Sequence, residues 1–166
     1  MSEATGHGAA GGDAAGGEAA GEDTGHEIDV ALEVADGWPP VPVETVVVHP
    51  TLEGLFVLDR TPVFALDLSR GDTVEARAGD GGRLVFVRRT ATGGHATFRI
   101  ISLADAAALE SVLRTLGELG AVVEESEYAA LWTVDVPPAA PLDEIRAALE
   151  NAAAAEVLEF EDPRTP

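Results

Sequence analysis

The hydrophobic period of this chain changes near residue 100, and that change constrains the fold more than any other feature. Before it, apolar side chains recur at every second position, the repeat of a strand with one buried face; after it, strand repeats alternate with helical ones. Ile28, Val30, Leu32 and Val34 alternate with Asp29, Ala31, Glu33 and Ala35, predicting a first strand that Asp36-Gly37 ends. Trp38-Pro39-Pro40-Val41-Pro42 lacks regular ladder donors and reads as an extended crossing. Short β-rich runs follow at Val43–Val48, Leu55–Leu58 and Val63–Leu68. Two more, Asp72–Ala78 and Arg83–Thr90, flank Gly79-Asp80-Gly81-Gly82, whose glycines supply the positive φ angles of a tight hairpin. Residues 27–95 are therefore expected to form a small curled β-sheet or partly open barrel.

Residues 96–162 read differently. Ala96–Ser102 alternates, with Phe98 and Ile100 on one face and Thr97, Arg99 and Ile101 on the other. Ser102-Leu103-Ala104-Asp105 has the form of a capping box with Ser102 as the cap, and Leu109, Val112, Leu113, Leu116 and Leu119 then follow at helical spacing up to Gly120. Two strands are expected at Ala121–Tyr128 and Ala130–Val136, with Trp132, Val134 and Val136 sharing a face. Pro141 opens a second helix through Leu142, Ile145 and Leu149, with Asp143 and Glu144 at its positive end, and Val157–Asp162 closes as a strand. The order β-α-β-β-α-β predicts a ferredoxin-like sandwich, so the whole is α+β.

Charge sets which partners are plausible. The 166 residues carry 30 acids against 10 bases, every base is an arginine, and the formal charge is -20. Nucleic acid and anionic membrane are poor partners for such a surface. With no cysteine there is no disulfide, thiolate nucleophile or iron–sulfur site. Neither a membrane-spanning run nor a signal peptide is evident, which suggests a cytoplasmic protein. Residues 1–26 hold fifteen Gly or Ala, five acids and no base, too little apolar surface to offset ordering entropy, and are expected to be a disordered acidic tail. In contrast, residues 77–99 hold five arginines, at 77, 83, 88, 89 and 99, with Asp80 the one acid.

Several segments together resemble an uncharacterised family of small bacterial proteins catalogued only as a domain of unknown function. They are Gly37-Trp38-Pro39-Pro40 followed by Glu44; Leu58-Asp59 with Pro62-Val63-Phe64; Gly71-Asp72-Thr73-Val74; Gly93-Gly94-His95-Ala96-Thr97-Phe98-Arg99; Leu119-Gly120; and Val134-Asp135-Val136-Pro137-Pro138. After Glu44 the chain departs from the pattern, having Val46 and Val47 where the family more often has an aromatic. The resemblance implies a fold and a set of residues, and no reaction.

No catalytic, metal or cofactor constellation stands out. Ser69, Ser102, Ser111 and Ser126 lack the sharp turn and histidine partner of a serine nucleophile. His49 and His95 with Glu44, Asp59 or Asp72 lack ligand spacing, so no metal is expected. Gly93-Gly94-His95 either cradles an anion or permits a sharp turn. The preferred reading is a non-enzymatic binding or regulatory module, with a groove between the two halves near Glu44, Asp59, Asp72, His95 and Arg99 that holds a protein segment or small anionic ligand, and with Thr97 a further candidate binding residue. In the basic stretch, Arg77, Arg88 and Arg99 either neutralise neighbouring acids, or Arg88, Arg89 and Arg99 offer bidentate contacts to an anionic ligand or a partner's acidic patch. The alternatives are a small hydrolase or transferase using His95 or Asp72 as base, and an acidic immunity-type protein that masks a basic partner. An open sheet edge makes a homodimer possible.

Overall fold

The computed structural model describes residues 25–163. The expected acidic tail lies outside these residues except for Gly25 and His26, and His26 already opens a strand, one residue before the boundary expected for the first half. Strand β1 (His26–Ala31) pairs antiparallel with β2 (Val43–Pro50), which pairs with β3 (Phe56–Leu58). The meander continues through β4 (Thr73–Ala78) to β5 (Leu84–Ala91). Gly81 and Gly82, with φ of 71° and 81°, turn the β4–β5 connection as their sequence requires.

The first half is a closed five-stranded barrel, where the sequence suggested a curled or partly open one. Strand β5 returns to lie parallel to β1, through the pairs Ile28 with Leu84 and Asp29 with Val85. Two register shifts in the β4–β5 ladder, at Thr73/Val74 and Glu75/Ala76, bend and twist that ribbon toward closure. A fork of hydrogen bonds pins the seam: Arg83 Nε and Nη2 donate to Asp29 Oδ2 and Oδ1, each at 2.6 Å, and Thr45 Oγ1 donates to Asp29 Oδ1 at 2.8 Å. Inside, Ile28, Val30, Val46, Val48, Leu58 and Val74 form the core.

Val63–Leu68, expected as a strand, is not one. Phe64, Ala65 and Leu68 are buried, but the segment is an irregular crossing between β3 and β4 that lies against Arg99 of the second half. Its apolar residues serve burial, and its backbone polar groups are satisfied by side chains in place of a ladder.

The second half contains β6 (Ala96–Ser102), α1 (Ala106–Glu118), β7 (Val122–Glu125), β8 (Leu131–Val136), α2 (Leu142–Ala154) and β9 (Leu158–Glu161). Its sheet runs β7-β8-β6-β9 with every neighbouring pair antiparallel. Helix α1 starts later than the sequence suggested. Asp105 is its N-cap, accepting from Ala108 N at 3.0 Å, while Ser102 is the last residue of β6 and donates to Ala104 O. Leu116 of α1 and Ile145 and Leu149 of α2 are fully buried against Phe98, Ile100, Val134 and Val136, so both helices cover one face of the sheet. Full burial of each such side chain contributes about 1.5–3 kcal/mol. Among the described residues no helix is long and apolar enough to cross a membrane.

The other face of the sheet, carrying Thr97, Arg99, Thr133 and Asp135, is buried as well. These four and Asp72 are the buried polar and charged residues of the described chain. The bonds of Thr97 and Arg99 to residues 62–69 show what covers that face.

Candidate functional site

Glu44, on β2, points its carboxylate at the crossing segment. Oε1 accepts from Val63 N at 2.6 Å, and Oε2 from Phe64 N and Ala65 N at 2.9 and 2.8 Å. Three donors on one carboxylate make a charge-assisted cradle of the kind that fixes a loop. Arg99, on β6 and 6% exposed, holds the same segment through its carbonyls: Nε donates to Val63 O at 2.6 Å, and Nη2 to Pro62 O and Ala65 O at 3.1 Å each. The planar guanidinium suits this use, since its donors leave the group in a fixed fork.

A second knot lies beside the first. Asp72, 1% exposed, accepts from Ser69 N at 3.0 Å and Gly93 N at 2.9 Å, and Arg89 Nη1 stands 3.4 Å from its Oδ2. Arg89 also donates to Asp67 O, and Thr97 Oγ1 donates to Ser69 Oγ at 3.0 Å. Gly71 and Gly93 bring two backbones into contact: a Cβ on Gly93 would lie 2.3 Å from the carbonyl carbon of Gly71. Gly71, at φ 79°, also takes a left-handed backbone conformation that favours glycine. His95 Nδ1 lies 2.8 Å from Oδ1 of Asp135, whose side chain is 3% exposed; Oδ2 of Asp135 is buried and has no hydrogen-bond partner among the described residues.

Of the sequence-nominated residues, Glu44 and Arg99 therefore meet on one segment, and Asp72, Arg89 and Thr97 meet on the next, with His95 close to Gly71. Asp59 and Arg88 join neither group. Asp59 Oδ1 is 3.4 Å from His49 Nε2, and Arg88 Nε donates to Glu75 at 2.8 Å across the β4–β5 ladder. The locally basic stretch is thus largely neutralised within the chain, Arg83 by Asp29, Arg88 by Glu75 and Arg89 by Asp72. Among the described residues no group of three His, Cys, Asp or Glu side chains is placed to hold a metal ion.

A cleft of about 840 Å³ opens beside the first knot, between the barrel and the second sheet. One wall is the end of β1 with Trp38 and the crossing segment, and the other is Ile101, Leu131 and β9. Val30, Leu32 and Phe86 reach it because β1 and β5 pair only at two positions and diverge beyond them. Trp38 is 55% exposed and meets Phe64 edge to face at 5.5 Å, and Phe64 meets Tyr128 likewise at 4.8 Å. Glu33, Asp67, Glu159 and Glu161 supply the acids of the lining, and Arg99 is its one base. Apolar walls with a few convergent polar groups are the usual form of a binding cleft, and this volume is within the usual range.

Sequence reasoning missed Asp135 and the acids of the cleft. Asp135 had a readable signal: Thr97 and Arg99 on β6 face Asp135 and Thr133 on β8, so two paired strands carry polar residues on the same side. Such a match marks a polar layer between units as well as it marks a wet face. Glu33 and Glu159 had none, since the fold alone brings them together.

Among curated proteins none matches the chain. A solved structure described as a novel crystal structure of a hypothetical protein from Neisseria gonorrhoeae superposes with a TM-score of 0.72 at 18% identity, covering 84% of this chain and 94% of that one. At this identity the likeness is one of fold. Residues 44–160, from the carboxylate that cradles the crossing segment to the last strand of the sheet, match the model of a domain of unknown function, DUF4265, and the chain belongs to that family.

Proposed function

We propose that the chain is a non-enzymatic binding module whose ligand occupies the cleft between a barrel subdomain, residues 27–95, and a ferredoxin-like subdomain, residues 96–162. The β-α-β-β-α-β element order and the strand order β7-β8-β6-β9, antiparallel throughout, support the second assignment. The observation that carries the binding role is the cleft itself, with apolar walls and a tryptophan 55% exposed at its rim. The two knots of buried polar residues have a scaffolding part in this reading. They fix the crossing segment that forms one wall.

A fragment screen followed by protein NMR tests it. Hits should move the indole N–H of Trp38 and the methyls of Ile101 and Leu131, and Ile101→Arg should abolish those shifts. Shifts gathered elsewhere, or none, would sink the proposal.

One observation favours a second reading. His95 against the buried Asp135 has the form of a base held by its orienting carboxylate. His95 lines neither this cleft nor the small one of about 130 Å³ near Asp59 and Arg70, so this reading does not draw on the cleft that supports the first. Turnover of a generic ester, lost in His95→Gln, would reverse the preference.

A further inference from the structure

Resting on the cleft-binding role above, we infer that its occupant is an extended basic segment of a partner protein, added as a strand to the open edge of β9. Strand β9 pairs with β6 on one side and is the end of its sheet, so its other edge is unpaired among the described residues. Glu159, Phe160 and Glu161, three of its four residues, line the cleft. An exposed edge with free main-chain groups is a template for a further strand.

Charge selects the occupant. Glu159 and Glu161 stand opposite Ile101 and Arg99 in the ladder and therefore share the barrel-facing side, two residues apart, at the repeat of an added strand. Glu33 lines the cleft as well. Arg99, the one base of the lining, is turned onto the carbonyls of Pro62, Val63 and Ala65. A segment with arginine or lysine at alternate positions would pair its cations with this row and lay apolar side chains between. Trp38 offers a ring face to one guanidinium.

The same row disfavours other occupants. A second copy joined edge to edge through β9 would set glutamates against glutamates. Residues 1–26 of the chain carry five acids and no base, so they are repelled as well. A small anion would need an open guanidinium, whereas Arg88 and Arg89 are engaged by Glu75 and Asp72.

The test uses the full chain and fluorescein-labelled hexapeptides in fluorescence anisotropy: alternating Arg-Val, alternating Glu-Val, and the Arg-Val peptide N-methylated at alternate residues. The Arg-Val peptide should bind and the Glu-Val peptide should not. Affinity should fall at least about tenfold on N-methylation and on Glu159→Lys with Glu161→Lys, and only slightly on Glu110→Lys with Glu118→Lys, the same charge change on α1. These glutamates are exposed, and circular dichroism is to check that the variants fold. Equal losses in the two charge variants, or indifference to N-methylation, would overturn the inference. So would silence with every peptide while fragments still shift Trp38, a result that leaves the cleft as a site for another ligand. A dimer held through β9, seen by sedimentation and lost in Glu159→Pro, would also overturn it.

Discussion

Glu44 and Arg99 hold opposite polar edges of one segment: the carboxylate takes the N–H groups of Val63, Phe64 and Ala65, and the guanidinium takes the carbonyls of Pro62, Val63 and Ala65. One residue comes from the barrel and the other from the second sheet. The segment between them is therefore held from both halves at once.

Removing either partner leaves buried backbone groups unpaired. Arg99→Met should destabilise the chain by about 2–4 kcal/mol and Glu44→Leu by about 1–3 kcal/mol. Arg99→Lys should recover little, because an ammonium cannot span three carbonyls in a fixed plane. Urea unfolding of the single and double variants measures this, and the double should lose less than the sum of the singles. Strict additivity would show that the two do not act on a common segment.

The barrel seam predicts acid sensitivity. The hydrogen bond from Arg83, and after it that from Thr45, holds the carboxyl of Asp29 below its usual value. A carboxyl that titrates lower in the folded chain than in the unfolded one binds fewer protons when folded. Its contribution is present above about pH 4 and is lost as pH falls through the lower, folded value. Thermal unfolding from neutral to acid pH should show a shallower acid limb in Asp29→Asn than in the parent. An unchanged limb would mean the seam pair adds nothing.

Two glycines should respond in opposite directions to alanine. Gly93→Ala drives a methyl into the backbone of Gly71 at 2.3 Å and should cost more than about 2 kcal/mol. Gly117, inside α1 with nothing within 4 Å of its would-be Cβ, should gain about 0.5–1 kcal/mol on the same change. Chemical denaturation of the two variants side by side decides the matter.

The position of the α1 cap is testable in the same way. Asp105→Ala should cost about 1 kcal/mol, and Ser102→Ala much less, since Ser102 bonds only the carbonyl of Ala104. The reverse order would put the cap back at Ser102.

The elements after residue 95 could be read from the sequence because each has its own start and stop: Gly120 after α1, Pro137-Pro138 after β8, Pro141 before α2. Barrel closure could not, because its seam joins residues 28–29 to 84–85 over a long separation that no local pattern encodes. Val63–Leu68 misled through a physical coincidence, since a buried crossing needs the same apolar residues as a strand. The alternation placed Thr97 and Arg99 on the face opposite Phe98 and Ile100 without showing what covers it. Their partners are main-chain or hydroxyl groups of residues 62–69, to which composition is blind. The nominated residues were in large part those that knit the halves together, whereas the cleft is assembled from Glu33, Asp67 and Glu159, too far apart in sequence to be associated beforehand.

A chain with two hydrophobic cores could lose them in two steps. Here the polar layer should couple their unfolding: pulling the halves apart would strip Arg99 of its three carbonyls and Thr97 of Ser69 in one event. Calorimetry should then show a single transition, with calorimetric and van't Hoff enthalpies in agreement. Neither half, expressed separately, should then inherit the stability of the whole, and selection on this chain would act on the barrel and the second sheet as one unit of cooperativity.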